Sequence, residues 1–134
     1  MNSKTRSACP ITFALDHVGD RWSLLILRDM LFAGKQYYDE FAASDEGIST
    51  NILAARLKQL EVDGLISKKT DAGNRRRKVY RPTGKALDLL PMMMELVLWS
   101  VHHDPDTAAP EGLVSAIRND RDQVIAGIRS RFSA

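Results

Sequence analysis

Two sets of side chains in this 134-residue chain could do chemistry, and both suit a polyanion. One is the run Arg75-Arg76-Arg77-Lys78, directly after the turn-forming Asp71-Ala72-Gly73-Asn74. Four adjacent cations repel one another unless an anion lies across them. Residues 65–85 hold eight Lys and Arg against Asp71 alone, a local +7; with a net charge of +2, the remainder sums to −5. Cation concentrated on an otherwise acidic body points to a binding face rather than to general solubility. The other set is Ser49, Thr50, Asn51, Ala54 and Lys58, which a helical period gathers outside the apolar side of one segment. On such a face Asn can bond an adenine edge bidentately, and Ala and Thr can touch a thymine methyl. Ser49 or Lys58 can hold a phosphate. The plainer alternative is a small-residue face that packs on another helix. Arg56 stands at the edge of the apolar arc, placed either to reach a phosphate or to pair with a local acid.

Other reactive side chains offer less. Cys9 precedes Pro10 at a predicted helix start, near Lys4 and Arg6, a setting that lowers a thiol pKa and would suit oxidant or electrophile sensing. The alternative is a small buried hydrophobe. As the single cysteine it can form neither an internal disulfide nor a cysteine metal cage. His102-His103-Asp104 with Asp106 resembles ligand material, but neighbouring helical residues point about 100° apart, and His is favoured at a helix C-terminus on charge grounds. No metal site and no cofactor are expected. No paired carboxylates, nucleophile–base arrangement or phosphate-cradling Gly loop can be argued, so no enzymatic activity is expected either.

The elements that must position these residues follow from periodicity and punctuation. Pro10 opens a first helix with Phe13, Ala14 and Val18 available for packing, and Gly19 ends it. Asp20 caps a second helix, Arg21 to about Phe32, apolar almost all round and hence the buried centre of the domain. Lys35 to Tyr37 reads as a short strand, and Tyr38 to Ala43 as a brief third helix with Phe41 inward. Ser49 caps the fourth helix, which turns Ile52, Leu53, Leu57 and Leu60 inward and ends at Gly64. Leu65 to Thr70 and a return strand from Arg75 make a hairpin with a cationic tip. Pro82 fits a strand end, and Thr83-Gly84 launches a long helix, Lys85 to about His102. Asp104 to Pro110 is a polar linker before a last helix, Gly112 to Phe132. Leu90, Met94, Val97 and Val101, with Leu113, Ile117, Val124 and Ile128, give the two terminal helices more apolar surface than one small domain needs. A partner chain is expected there.

The expected class is mainly α with a small β-hairpin wing: a winged helix-turn-helix with C-terminal dimerisation helices. Leu87 to Trp99 is interrupted by Asp88, Pro91 and Glu95, too broken to span a membrane, and Met1 to Arg6 lacks the apolar stretch of a signal peptide. A cytoplasmic location is expected.

Cys9-Pro10, Gly19-Asp-Arg-Trp-Ser-Leu-Leu-Ile-Leu-Arg28, Gly47-Ile-Ser49, Arg56-Leu57, Leu60-Glu61, Asp63-Gly64-Leu65, Tyr80 and Thr83-Gly84 occur in an order and spacing that resembles the HxlR-type regulators, bacterial winged-helix transcription factors related to the MarR group. The likeness runs from Cys9 to about Trp99. It implies a homodimer on a pseudo-palindromic operator, each recognition helix in a major groove and each wing along the adjacent minor groove. Some members use the cysteine matching Cys9 as a redox or electrophile sensor and others do not. Three features depart from the pattern. Asn74 to Tyr80 stands where many members have Pro-Pro-Arg-Val-Glu-Tyr, Pro82 replaces an aliphatic residue, and the chain from about Pro105 runs past the usual family end. The expected organisation is a winged domain, residues 1–103, including a first dimerisation helix, then a linker and dimerisation helix, residues 104–134. The expected function is a DNA-binding regulator, a repressor, working on double-stranded DNA with an unidentified small-molecule effector. The alternatives are a winged-helix protein-interaction module and a redox-sensing regulator acting through Cys9.

Overall fold

In the computed structural model, which describes residues 7–133, the elements run α1 Pro10–Val18, α2 Ser23–Leu31, α3 Tyr38–Ala42, α4 Thr50–Val62, β1 Ile66–Asp71, β2 Asn74–Pro82, α5 Gly84–Leu87, α6 Leu90–His103 and α7 Glu111–Arg131. Two compact units divide between Lys85 and Ala86. Helix α6 therefore shares a unit with α7, whereas the sequence alone groups it with the helix-turn-helix.

In the first unit, α2 is the buried centre. Ile26, Leu27, Met30 and Leu31 are almost wholly covered, and the helix packs against α1, α4 and β2. Its start is fixed by Asp20, whose Oδ2 accepts from the Trp22 and Ser23 N–H groups at 2.9 and 3.0 Å and whose Oδ1 accepts from the Ser23 hydroxyl at 2.5 Å. The regular helix begins at Ser23, two residues later than expected, because Arg21 and Trp22 form the turn that lets Asp20 reach back. Gly19 joins α1 to that turn. A Cβ there would sit 2.4 Å from the Leu15 carbonyl oxygen, so a side chain would force the backbone to move.

Several expectations need correction. Phe13 is half exposed, with Ile11 and Leu15, and only Val18 of α1 is buried. The helix is nine residues long and packs only one narrow edge on α2. Residues 35–37 form no strand. A single bond, Tyr80 N–H to the Gln36 carbonyl at 2.8 Å, ties them to β2, because α3 begins at Tyr38 and leaves no length for a ladder. Ile52 lies outside the buried arc at 40% exposed, whereas Leu53, Leu57 and Leu60 are covered. It sits in the first turn of α4, about 100° round from Leu53.

The hairpin is regular from Ile66↔Pro82 to Thr70↔Lys78 and then jumps to Asp71↔Asn74. Arg75, Arg76 and Arg77 thus form a bulge on β2 rather than the regular start of a strand. The Asn74 side-chain oxygen accepts from the Arg76 N–H at 3.0 Å and shapes it.

In the second unit, the expected long helix is interrupted at Asp88-Leu89. Pro91 cannot donate a backbone hydrogen bond and is tolerated only in a first turn, so the helix restarts at Leu90. Helix α7 breaks at Asp120 (φ −157°, ψ 80°), and the Asp120 carboxylate then accepts from the Gln123 N–H at 3.2 Å, capping the second half. Arg121 pairs with Glu95, and Arg129 with Asp88 at 2.6 Å, fastening α7 to α6 and the turn before it. Leu90, Met94, Ile117 and Ile128 are buried within the chain itself. They serve its own interior rather than an open face, while Val97, Val101, Leu113 and Val124 stay half-buried. The large apolar side chains left open on α6 are Leu96 and Trp99, at 46% and 65% exposure. Among the described residues no helix is long and apolar enough to cross a membrane.

Candidate nucleic-acid interface

Helix α4 is specified locally at both ends. The Ser49 hydroxyl accepts from the Ile52 N–H at 3.3 Å. At the other end Gly64 takes φ 78°, which lets the Leu65 N–H reach back to the Leu60 carbonyl at 2.9 Å. With Leu53, Leu57 and Leu60 inward, Thr50, Asn51, Ala54, Ala55 and Lys58 all face solvent. Among the described residues Lys58 has no ion pair. The face is therefore small, nearly neutral and open, as the sequence implied.

The turn before α4 is held from beneath. Arg28 on α2 donates to Glu46 at 3.0 Å and to the largely buried Asp29 at 2.9 Å, and Lys35 reaches the other Asp29 oxygen at 3.3 Å. Buried carboxylates are costly unless paired; Asp29 is paired twice. Arg56 is committed to a neighbouring acid, its guanidinium 3.7 Å from Asp20.

The basic residues divide into two groups. Arg75 and Arg76 are exposed in the bulge without ion pairs among the described residues. Others are engaged: Lys78 donates to the Thr70 hydroxyl at 3.0 Å, and Lys68 lies 3.8 Å from Glu61. Lys85 donates to the Asp63 carbonyl at 2.8 Å. Arg77 lies over the Tyr37 ring and donates to Asp39. The Tyr38 hydroxyl donates to the Thr50 carbonyl at 3.1 Å, joining α3 to the first turn of α4. Sequence reading missed Tyr37, Tyr38 and Asp39. Their only local signal is an adjacent tyrosine pair at a helix start, and the partners of Tyr38, Asp39 and Tyr37 lie 12, 38 and 40 residues away.

Cys9 is exposed, the residue before α1. Hydrogen bonds from the Thr12 and then the Ile11 backbone, with the Thr12 side chain, hold its thiol below the usual range. Lys4 and Arg6 lie outside the described residues. His102 and His103 cross edge to face at the end of α6, 4.6 Å between ring centres. Among the described residues there is no group of three or more His, Cys, Asp or Glu suited to a metal ion.

A buried central helix, a capped helix with a small open face and a basic two-stranded hairpin define a winged helix-turn-helix. Residues 17–107 match the family model described as HxlR-like helix-turn-helix, and the chain belongs to that family. An uncharacterized HTH-type transcriptional regulator from Synechocystis is 30% identical over 93 residues, covering 69% of this chain and 68% of that one. Among solved structures, PA1607, assigned as a transcription factor, superposes with a TM-score of 0.71 at 34% identity, covering 78% of this chain and 73% of the other. The redox regulator HypR in its oxidized form gives 0.60 at 27% identity, covering 71% and 97%.

Asp20 generates a pH prediction. Burial pushes its carboxyl up, but the Ser23 hydroxyl, the Trp22 and Ser23 N–H groups and Arg56 outweigh that and leave it below the usual carboxylate range. A folded-state pKa below the unfolded one gives stability that is full above the unfolded value and is lost as pH falls through the folded value. Asp20→Ala is expected to cost roughly 1 kcal/mol at neutral pH, the usual worth of a helix cap, and to make the acid limb of the stability curve shallower. Urea denaturation across the acid range measures both.

Proposed function

We propose that this protein is a sequence-specific DNA-binding transcriptional regulator that acts as a homodimeric repressor on a pseudo-palindromic operator. The observation that carries the reading is the open face of Thr50, Asn51, Ala54 and Lys58 on α4, together with the exposed Arg75 and Arg76 on the wing, which have no ion pairs among the described residues. A neutral small-residue face can come close to base edges without desolvating charge. Asn51 is suited to an adenine edge, Thr50 and Ala54 to thymine methyls, and Ser49 and Lys58 to phosphates. Arg75 and Arg76, with Lys78 behind them, would follow the backbone of the adjacent minor groove.

The dimer is assigned to residues 90–134, through the half-buried Val97, Val101, Leu113 and Val124 together with the exposed Leu96 and Trp99. Two recognition helices on successive major grooves would then stand about 34–36 Å apart.

A second reading concerns the signal. The exposed, acidified thiol of Cys9 at the start of α1, and the likeness to a redox regulator, support a response to oxidants or electrophiles through that residue.

Two experiments test these readings. In gel shifts on duplex flanking the protein's own gene, binding should weaken steeply with salt. Arg75→Ala with Arg76→Ala should flatten the slope of log K against log salt by about 1.8, at roughly 0.9 per phosphate released. A protein-interaction module would give no such shift. For the thiol, diamide should change the affinity of the wild type and leave Cys9→Ser unaltered; wild-type binding indifferent to diamide contradicts the sensing role.

A further inference from the structure

One cation of the wing is held in a way that its exposed neighbours are not. The Arg77 guanidinium carbon lies 3.5 Å from the centroid of the Tyr37 ring. One of its nitrogens is 3.3 and 3.5 Å from the two Asp39 carboxylate oxygens. Tyr37 is itself fixed: Glu40 Oε1 accepts from the Gln36 and Tyr37 N–H groups at 2.8 and 3.0 Å, and the Gln36 carbonyl accepts from the Tyr80 N–H on β2. The backbone that carries the ring is therefore held from both sides, and the ring lies beneath the Arg77 guanidinium of the wing. The same turn reaches α4 through the Tyr38 hydroxyl, so it touches both elements of the candidate interface.

Stacking uses the face of a guanidinium and leaves its in-plane donors free. Asp39 takes one of them. That carboxylate is 74% exposed and Arg77 is 40% exposed, so the pair is screened by solvent and exchanges readily. Two oxygens that share a negative charge, at the edge of a stacked guanidinium, occupy the position that two phosphate oxygens would take.

We propose that Tyr37 is the platform that orients Arg77, and that Asp39 is an internal competitor holding its edge until a duplex phosphate displaces it. Asp39 then sets affinity without touching DNA. This rests on the DNA-binding reading above. It adds an acid whose removal strengthens binding, and an aromatic whose removal weakens it.

The test is a double-mutant cycle on the full chain with a non-specific duplex as probe. Asp39→Asn should tighten binding several-fold with the slope of log K against log salt nearly unchanged, because Arg77 engages the same phosphate in both proteins, whereas Arg77→Ala should flatten that slope by about 0.9. In an Arg77→Ala background Asp39→Asn should have no effect. Tyr37→Phe should behave as wild type, and Tyr37→Leu should bind more weakly. Unchanged affinity in Asp39→Asn, or an unchanged slope in Arg77→Ala, overturns the proposal. So does an equal gain with Arg77 absent, which would mark a bulk charge effect. If the wild type binds and Asp39→Asn matches it, this inference alone falls. If the wild type shows no salt-steep binding, the DNA-binding reading falls and takes this one with it.

Discussion

The interaction on which the rest depends is the burial of Leu53, Leu57 and Leu60 beneath α4. Helix α4 packs against α2, α3 and β1, and three leucines at helical spacing are almost wholly covered there. At about 25 cal/mol for each Å² of apolar surface removed from water, this is the term large enough to hold a helix whose other side contributes almost nothing to stability. Because the inner face does the holding, the outer face is free to be small and neutral. An ordinary surface helix would carry charge there. Here Lys58 is the one charged side chain among the five residues of that face, and the helix is fixed by its caps and its leucines.

A second consequence concerns the charges around that face. Most of the cations near it have partners within the chain. Arg56 is on Asp20, Lys68 on Glu61, Arg77 on Tyr37 and Asp39, and Lys85 on the Asp63 carbonyl. A count of basic residues from 65 to 85 therefore overstates what is available to a phosphate. Among the described residues, Lys58 on α4 and Lys69 on β1 remain, with Arg75 and Arg76, which the three-residue register jump places in the bulge. Arg28 and Lys35, clasping Asp29 and Glu46, secure the turn that aims α4. Electrostatics here works mainly to position elements.

What could be read in the sequence was local. Ser49, Gly64 and the leucine spacing define α4 within a few residues, and the run of apolar side chains from Trp22 to Leu31 marks α2 as buried. The Asp71–Asn74 turn announces the hairpin. What escaped was set by distant partners or by competition between signals. The bulge appears only in the pairing register, which no single strand reveals. Arg77's shelf comes from a residue near α3. The apolar run from Leu87 to Trp99 masks the gap before α6, where Pro91 fits only in the first turn of a new helix. The break at Asp120 was hidden inside a helical pattern. The candidate site was legible as a face and a charge cluster; which charges are already committed was not.

The account's central claim is that the open face of α4 reads bases. Selection of binding sites from randomised duplexes, with wild type and with Asn51→Ala, tests it most directly. The account predicts that the wild type enriches a two-fold symmetric sequence with half-sites about 10–10.5 base pairs apart, and that Asn51→Ala relaxes one A·T position in each half-site. Enrichment of the same sequence by both proteins, or no enrichment by the wild type, would contradict it.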